Sequence, residues 1–233
     1  MIKKFQAPVR KILLLSLAVF IVIEWRIISH ERAKYGIASG NPFVKEIALT
    51  FDDGPRENTM QGLNSVLLDN KVRATFFLVG KFAERYPDVT RMLYNSGHEI
   101  ANHTYTHPKL FKLWTEKIER EAERVDEVMT ALNIPKTRFL RPPGGSFTLN
   151  IFNAMRRKNL RLGLWSLNTG DYTGRPAEEI ERLVLSSARP GTIVLMHSGV
   201  PETVKALPKI IKTLRSRGYE FVTVNDLWNN GAI

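Results

Sequence analysis

Cysteine is missing from all 233 residues. That excludes disulfides, thiolate metal sites and a lipid-modified cysteine anchor. A chain without such staples relies on packing, and 233 residues with 43% hydrophobic content are enough for one sizeable core. Internal repeats and low-complexity tracts are also lacking, so neither a solenoid nor a disordered linker is indicated. No stretch interleaves basic and aromatic residues in the manner of a nucleic-acid surface, which disfavours that partner. Nothing marks an obligate protein partner either.

A further absence concerns the first residues. Lys3, Lys4, Arg10 and Lys11 precede the apolar run "ILLLSLAVFIVI", Ile12 to Ile23, and "EWRII" carries the apolar character on to Ile28. Twelve apolar residues suit the h-region of a signal peptide. Crossing a bilayer takes about 17–25, a span approached if Trp25, Ile27 and Ile28 lie at the interface. No small-x-small site closes the run, because Glu24-Trp25-Arg26 stands there; Gly36-Ile37-Ala38 fits that pattern but lies far downstream. Residues 1–34 are therefore read as a cytoplasmic basic flank and uncleaved membrane signal anchor, with residues 35–44 as a stem and 45–230 as a catalytic domain. By the positive-inside rule that domain faces outward, which places the protein at the cell membrane, or outside the cell if the segment is cut. Residues 1–34 hold seven Lys/Arg against two Glu, a net of +5 out of the formal +11, leaving +6 on the remainder. Such a charge suits an anionic cell-wall polymer or membrane surface, or serves only to keep the surface solvated.

Beyond the stem, short apolar runs alternate with longer amphipathic stretches. Strands are expected at 46–51, 74–79, 99–102, 138–141, 160–167, 192–197 and 219–224, and helices near 57–70, 81–96, 109–132, 147–158, 176–187 and 201–217. Apolar runs without alternation, each followed by a helix, indicate parallel strands buried on both faces. The fold class is α/β, a single distorted β/α barrel of about seven parallel strands; a doubly wound open sheet is the alternative.

Polar groups cluster at the C-terminal ends of these strands. Asp52 and Asp53 follow the first, His103 and His107 the third, Arg141 the fourth, Asn168 and Asp171 the fifth, and His197 the sixth. In β/α barrels that rim is where active sites are assembled. His103 and His107 are four residues apart, so a helical turn or compact loop can aim both imidazoles at one point. With one aspartate they form a two-His, one-carboxylate set for a divalent metal. The neighbouring aspartate then stays free to act as a base, and a metal beside the pair relieves their like-charge repulsion. Gly54 and Pro55 complete a turn of the "DG" kind.

"TFDDGP", "HTYTHP", "RPPGG" and "LMHS", in this order, resemble the polysaccharide deacetylases, the NodB-like carbohydrate esterases of family four. The resemblance runs from about Ile47 to Val224. It implies a distorted β/α barrel that binds zinc or a related divalent metal such as Co2+ and takes acetyl groups from acetylated glycans. By the same resemblance, Asp52 is the general base, and Asp53, His103 and His107 are the metal ligands. Arg141 is similar to the arginine that orients the catalytic aspartate, and His197 to the general acid. The backbone N–H near Gly144 corresponds to an oxyanion donor, and Leu195 to the contact for the acetyl methyl.

Two departures stand out. Where the family commonly has D-x-x-D-W, this chain reads "NTGDY": Asn168 replaces a charge, Asp171 is retained as a partner for His197, and Tyr172 keeps an aromatic wall. "RPPGG" places Gly144 where many relatives carry an aromatic, which implies a more open groove. The expected activity is N-deacetylation of a cell-wall glycan of the peptidoglycan or chitin type. An acetylxylan-type O-deacetylase, a phosphoesterase and a catalytically weak glycan-binding relative are the alternatives. His98 is expected to pack or hydrogen-bond locally beneath the site.

Overall fold

The computed structural model describes residues 34–231, together with Leu14–Ser16, Val19, Val22, Arg26, Ser29 and His30. The expected anchor thus lies almost wholly outside the described residues. Among the described residues, no helix is long and apolar enough to cross a membrane.

Among the described residues, nine strands form one sheet: β1 Gly36–Ile37, β2 Glu46–Gly54, β3 Thr75–Leu78, β4 Glu99–Asn102, β5 Phe139–Leu140, β6 Arg161–Gly163, β7 Leu167–Asn168, β8 Thr192–His197 and β9 Glu220–Phe221. Eight run in the order β1-β6-β5-β4-β3-β2-β8-β7, and β9 branches off beside β2. All paired strands are parallel. The order explains why "IALTF" is apolar without alternation, since β2 is central and covered on both faces. Ile47, Leu49 and Phe51 join the cluster packed under the helices, whereas Ala48 joins Phe77, Ala101, Phe139 and Ile193 in the interior of the curl. Thr50 and Asp52 share the parity of Ala48, so they face inward too.

Outer helices follow the strands at Glu57–Asp69, Gly80–Arg85, Pro87–Asn95, Thr115–Ala131, Leu149–Arg157, Ala177–Ser187 and Pro201–Ser216. Thr115–Ala131 shows how a charged sequence still docks: Ile118, Ala122, Val125 and Met129 recur every three or four residues as a buried stripe. Its opposite face carries exposed charge, including the Arg124–Glu127 pair.

The fold is thus α/β with parallel strands as expected, but curled into a half-barrel of eight strands plus a branch instead of a seven-strand barrel. Two strands account for the difference. Gly36–Ile37, in the segment expected to be a stem, pairs with β6, and Ser39 then bridges antiparallel to Thr192 at the far side of the curl. The run 160–167 is interrupted, because Leu164 N–H turns to the Ile37 carbonyl at 2.7 Å and Ser166 N–H to Ile193 at 3.1 Å. Three further departures are local. The stretch 81–96 breaks into two helices, with Pro87 opening the second. The expected strand 219–224 keeps only Glu220–Phe221, because Thr223 and Asp226 form a capping box that starts the helix Val224–Asn229. Residues 109–114 hold only a short 3-10 turn before the helix beginning at Thr115.

Candidate active site

β2 ends irregularly. Its register against β3 shifts between Phe51 and Gly54, and Asp53 adopts φ +66°, a left-handed conformation uncommon outside glycine. The irregularity separates the adjacent carboxylates. Asp52 remains in the β8 register opposite His197 and is buried, while Asp53 turns to the histidine loop. The unusual backbone therefore belongs to the aspartate and not to Gly54. Gly54 is required by packing instead, since a Cβ there would lie 2.8 Å from Ser198 Oγ and 3.1 Å from Leu78.

His103 and His107 reach the same point from a compact loop, not a helix. Thr104 and His107 are also left-handed, at φ +65° and +62°, so three strained non-glycine residues surround one point. The Thr104 hydroxyl oxygen accepts the His107 N–H at 3.1 Å and holds this loop. Asp53 Oδ1 lies 3.4 Å from His103 Nε2 and 3.2 Å from His107 Nε2. All three donor atoms fall within 4.8 Å of one another. Four-coordinate zinc with ligands near 2.0–2.1 Å would space them by ~3.3 Å, so the donor set fits a divalent ion. The tautomer fits as well. His103 Nδ1 is 2.7 Å from the Arg141 carbonyl oxygen, which can only accept, so Nδ1 carries a proton, and in the neutral ring the Nε2 lone pair is the one an ion would take. Burial pushes the Asp53 carboxyl up, but hydrogen bonds and charge from His103 and His107 outweigh it and leave it well below the usual carboxylate range.

Arg141 leaves β5 fully buried and is held at every nitrogen. Nε donates to the Gly163 carbonyl at 2.8 Å and Nη2 to Leu164 at 2.9 Å, while Nη1 reaches Thr50 Oγ1 at 2.8 Å and Asp52 Oδ1 at 2.6 Å. Its guanidinium lies 3.8 Å from the Phe77 ring centre. Burial leaves the Arg141 pKa below its ordinary value, against the opposing pull of the Asp52 charge and hydrogen bond. The second oxygen of Asp52 stands 3.8 Å from His103 Nε2, outside the tight cluster.

On the opposite wall, His197 ends β8. Its Nδ1 donates to Asp171 Oδ1 at 2.8 Å, while the other carboxylate oxygen accepts from the His197 N–H at 2.7 Å and the Thr203 hydroxyl at 2.6 Å. Burial lowers the His197 pKa, yet the hydrogen bond and charge of Asp171, with the charges of Asp52 and Asp53, raise it above its ordinary value overall. Asp171 is lowered: burial opposes this, but His197 and Thr203 prevail.

Asp52, Asp53, His103, His107 and His197 face one cavity of about 370 Å³. Its walls include Leu195, Gly144, Tyr172 and Trp165. Gly144 has φ +69° and an open Cβ direction, and the Tyr172 ring meets His197 edge-on at 5.0 Å. Arg141 and Asp171 act on the cavity only through the residues they hold. Asn168 lines it, but its side chain accepts from the Gly170 N–H at 2.9 Å. His98 lies elsewhere, at the opposite end of β4, bonded to Asn64 and the Ala74 N–H, and burial lowers its pKa to about 4. Ser198 is no nucleophile, as its hydroxyl donates to the Asp52 carbonyl at 2.8 Å. Thr50, Phe77 and Thr203 are the supporting residues that sequence reading missed, because a lone threonine or phenylalanine in an apolar pattern carries no local signal.

Residues 39–163 match the family model of polysaccharide deacetylases. The chain is 36% identical over 200 residues to the peptidoglycan-N-acetylglucosamine deacetylase of Bacillus cereus, covering 84% of this chain and 73% of that protein. It is 33% identical over 210 residues to the chitooligosaccharide deacetylase of Bradyrhizobium sp., covering 81% and 92%. Among solved structures, the Bc1960 peptidoglycan N-acetylglucosamine deacetylase superposes with a TM-score of 0.82 at 33% identity, covering 86% of this chain and 96% of that one.

Proposed function

Because the chain belongs to the polysaccharide deacetylase family, we propose that it is a metal-dependent hydrolase removing N-acetyl groups from cell-wall polysaccharide. The observation carrying this reading is the division of labour between adjacent carboxylates. Asp53 is drawn into a two-histidine cluster, while Asp52 is gripped by Arg141 and faces His197 across the cavity.

Asp53, His103 and His107 would hold the ion, Zn2+ or another divalent metal such as Co2+. When bound, it supplies Lewis acidity to the acetyl carbonyl and to a water molecule. Asp52 accepts the proton of the attacking water through Oδ2, since Oδ1 is held by Arg141. His197 has its Nδ1 proton committed to Asp171, so its Nε2–H is the proton delivered to the departing sugar nitrogen. The C–N bond breaks as the water oxygen bonds to the carbonyl carbon, giving acetate and a free amine. Gly144 offers a backbone donor to the negative charge developing on oxygen, and Leu195 packs the acetyl methyl. Tyr172 forms an aromatic wall for the sugar.

Residues 1–34 carry this domain at the outer face of the cell membrane in the same proposal, supported by the basic flank and apolar run of the sequence. The test is acetate release from N-acetylglucosamine oligomers and from peptidoglycan. Loss of release on chelation and in Asp53→Ala is expected, and activity surviving both would overturn the proposal. Preference for an acetyl ester over the amide would move it to the O-deacetylases.

A further inference from the structure

The cavity is not isolated. Asp53, Tyr172 and His197 also line an adjoining depression of about 690 Å³ that extends past Arg56, Phe82 and Arg85. Its two arginines rest on aromatic rings, and Lys81, outside the lining, shares one of those rings. The Arg56 guanidinium carbon lies 4.7 Å from the Phe82 ring centre, and Lys81 Nζ stands 5.0 Å from the same ring. Arg85 lies 5.4 Å from the Tyr86 ring centre. Arg56 also donates Nε–H to the Asp53 carbonyl at 3.1 Å, tying it to the cluster's own backbone.

Among the described residues, no ion pair engages Arg56, Lys81 or Arg85. Glu84, on the same helix as Lys81 and Arg85, is taken by Tyr105 and Arg124. Among the described residues, Glu57 is the one carboxylate besides Asp53 on the depression's wall, in the first turn of its helix, where the helix dipole already favours it. An arginine resting its face on a ring keeps its in-plane N–H donors available. Its planar fork suits a carboxylate or phosphate, and stacking reduces the freedom lost on binding.

We infer that this depression receives an anionic group, carboxylate or phosphate, carried on the sugar next to the one whose acetyl group enters the cavity. The inference rests on the deacetylase reading and narrows its substrate class. A peptidoglycan-type glycan supplies such a group on alternate sugars, as a free lactyl carboxylate where the stem peptide is absent and as the peptide's own carboxylates where it is present. A chitin-type oligomer is neutral and does not.

The test compares kcat/KM for acetate release from four oligomers of equal length: neutral N-acetylglucosamine, the alternating lactyl carboxylate, its methyl ester, and a phosphate monoester. Wild type should prefer the anions by about 1.5- to fivefold at low salt, the range expected of an exposed ion pair. The preference should shrink at high salt and in Arg85→Gln, whose thermal midpoint serves as the folding control. Arg56→Gln is read second, because Arg56 also touches the Asp53 backbone. The ratio of carboxylate to phosphate identifies which anion the depression takes. Equal kcat/KM on charged and neutral oligomers, or a preference unchanged in both variants, overturns the inference while leaving the deacetylase reading intact. Acetate from none of the four overturns that reading. Calorimetry of the carboxylate and neutral oligomers then decides the anion question alone: tighter binding of the carboxylate, weakened by Arg85→Gln, supports it, and equal binding overturns it.

Discussion

His103 Nδ1 donates to the main-chain carbonyl of Arg141 at 2.7 Å, while the Arg141 side chain holds Asp52 at 2.6 Å. One residue thus aims a member of the Asp53–His103–His107 cluster with its backbone and secures the neighbouring free carboxylate with its guanidinium.

Arg141→Met separates these two tasks. It leaves the buried Asp52 carboxylate without its guanidinium, so urea denaturation should show a loss of about 3–5 kcal/mol. The contact to His103 is a backbone one, so the folded fraction should still take up Zn2+, as read by metal analysis.

Asp52→Asn and Asp53→Asn are close in shape and adjacent in sequence, yet should fail differently. Asp52→Asn should lower kcat by about 10²–10⁴-fold, the worth of a general base, with metal content preserved. Asp53→Asn should lose metal affinity itself, because it removes the one carboxylate of the cluster.

Chelation should abolish acetate release and lower the thermal midpoint, and added Zn2+ or Co2+ should restore both. An ion present at 100 times its dissociation constant stabilises by about 2.7 kcal/mol. Asp53→Ala should show little of this shift.

Asp171→Asn tests His197 by pH. In its proposed role as the acid, His197 must be protonated, so activity should fall as pH rises through its raised pKa. Without the Asp171 charge that pKa moves down, and the alkaline limb of the rate profile should move to lower pH. Stability follows the same pair. The His197 contribution is fully present below its ordinary 6.5 and is lost as pH rises through the folded value. The Asp171 contribution is present above its ordinary 3.8 and is lost as pH falls through its lowered one. The difference in unfolding free energy between wild type and Asp171→Asn should therefore peak between these limits.

Much of the fold is legible from local pattern. Glu99–Asn102 and Thr192–His197 have the bounds their apolar runs predict, since central parallel strands buried on both faces leave few alternatives. Legibility ends where long-range pairing decides. Nothing local marks Gly36–Ile37 as a strand, because its partner Gly163 is 126 residues away in sequence. The break at Leu164–Ser166 likewise comes from two carbonyls outside the run. The helix at Val224 did carry a signal, the Thr223-x-x-Asp226 box, which the apolar reading of "YEFVTV" overrode.

Residue chemistry and spacing alone placed carboxylates, imidazoles and a guanidinium at one rim of a parallel sheet, since polarity at strand ends and a four-residue histidine interval are local properties. Tertiary structure decided which aspartate joins the histidines, through the left-handed turn at Asp53. It also brought Thr50 to Arg141 and Thr203 to Asp171 across 91 and 32 residues. Burying a charge requires every donor and acceptor around it to be matched, and only the closed sheet brings those distant partners within reach.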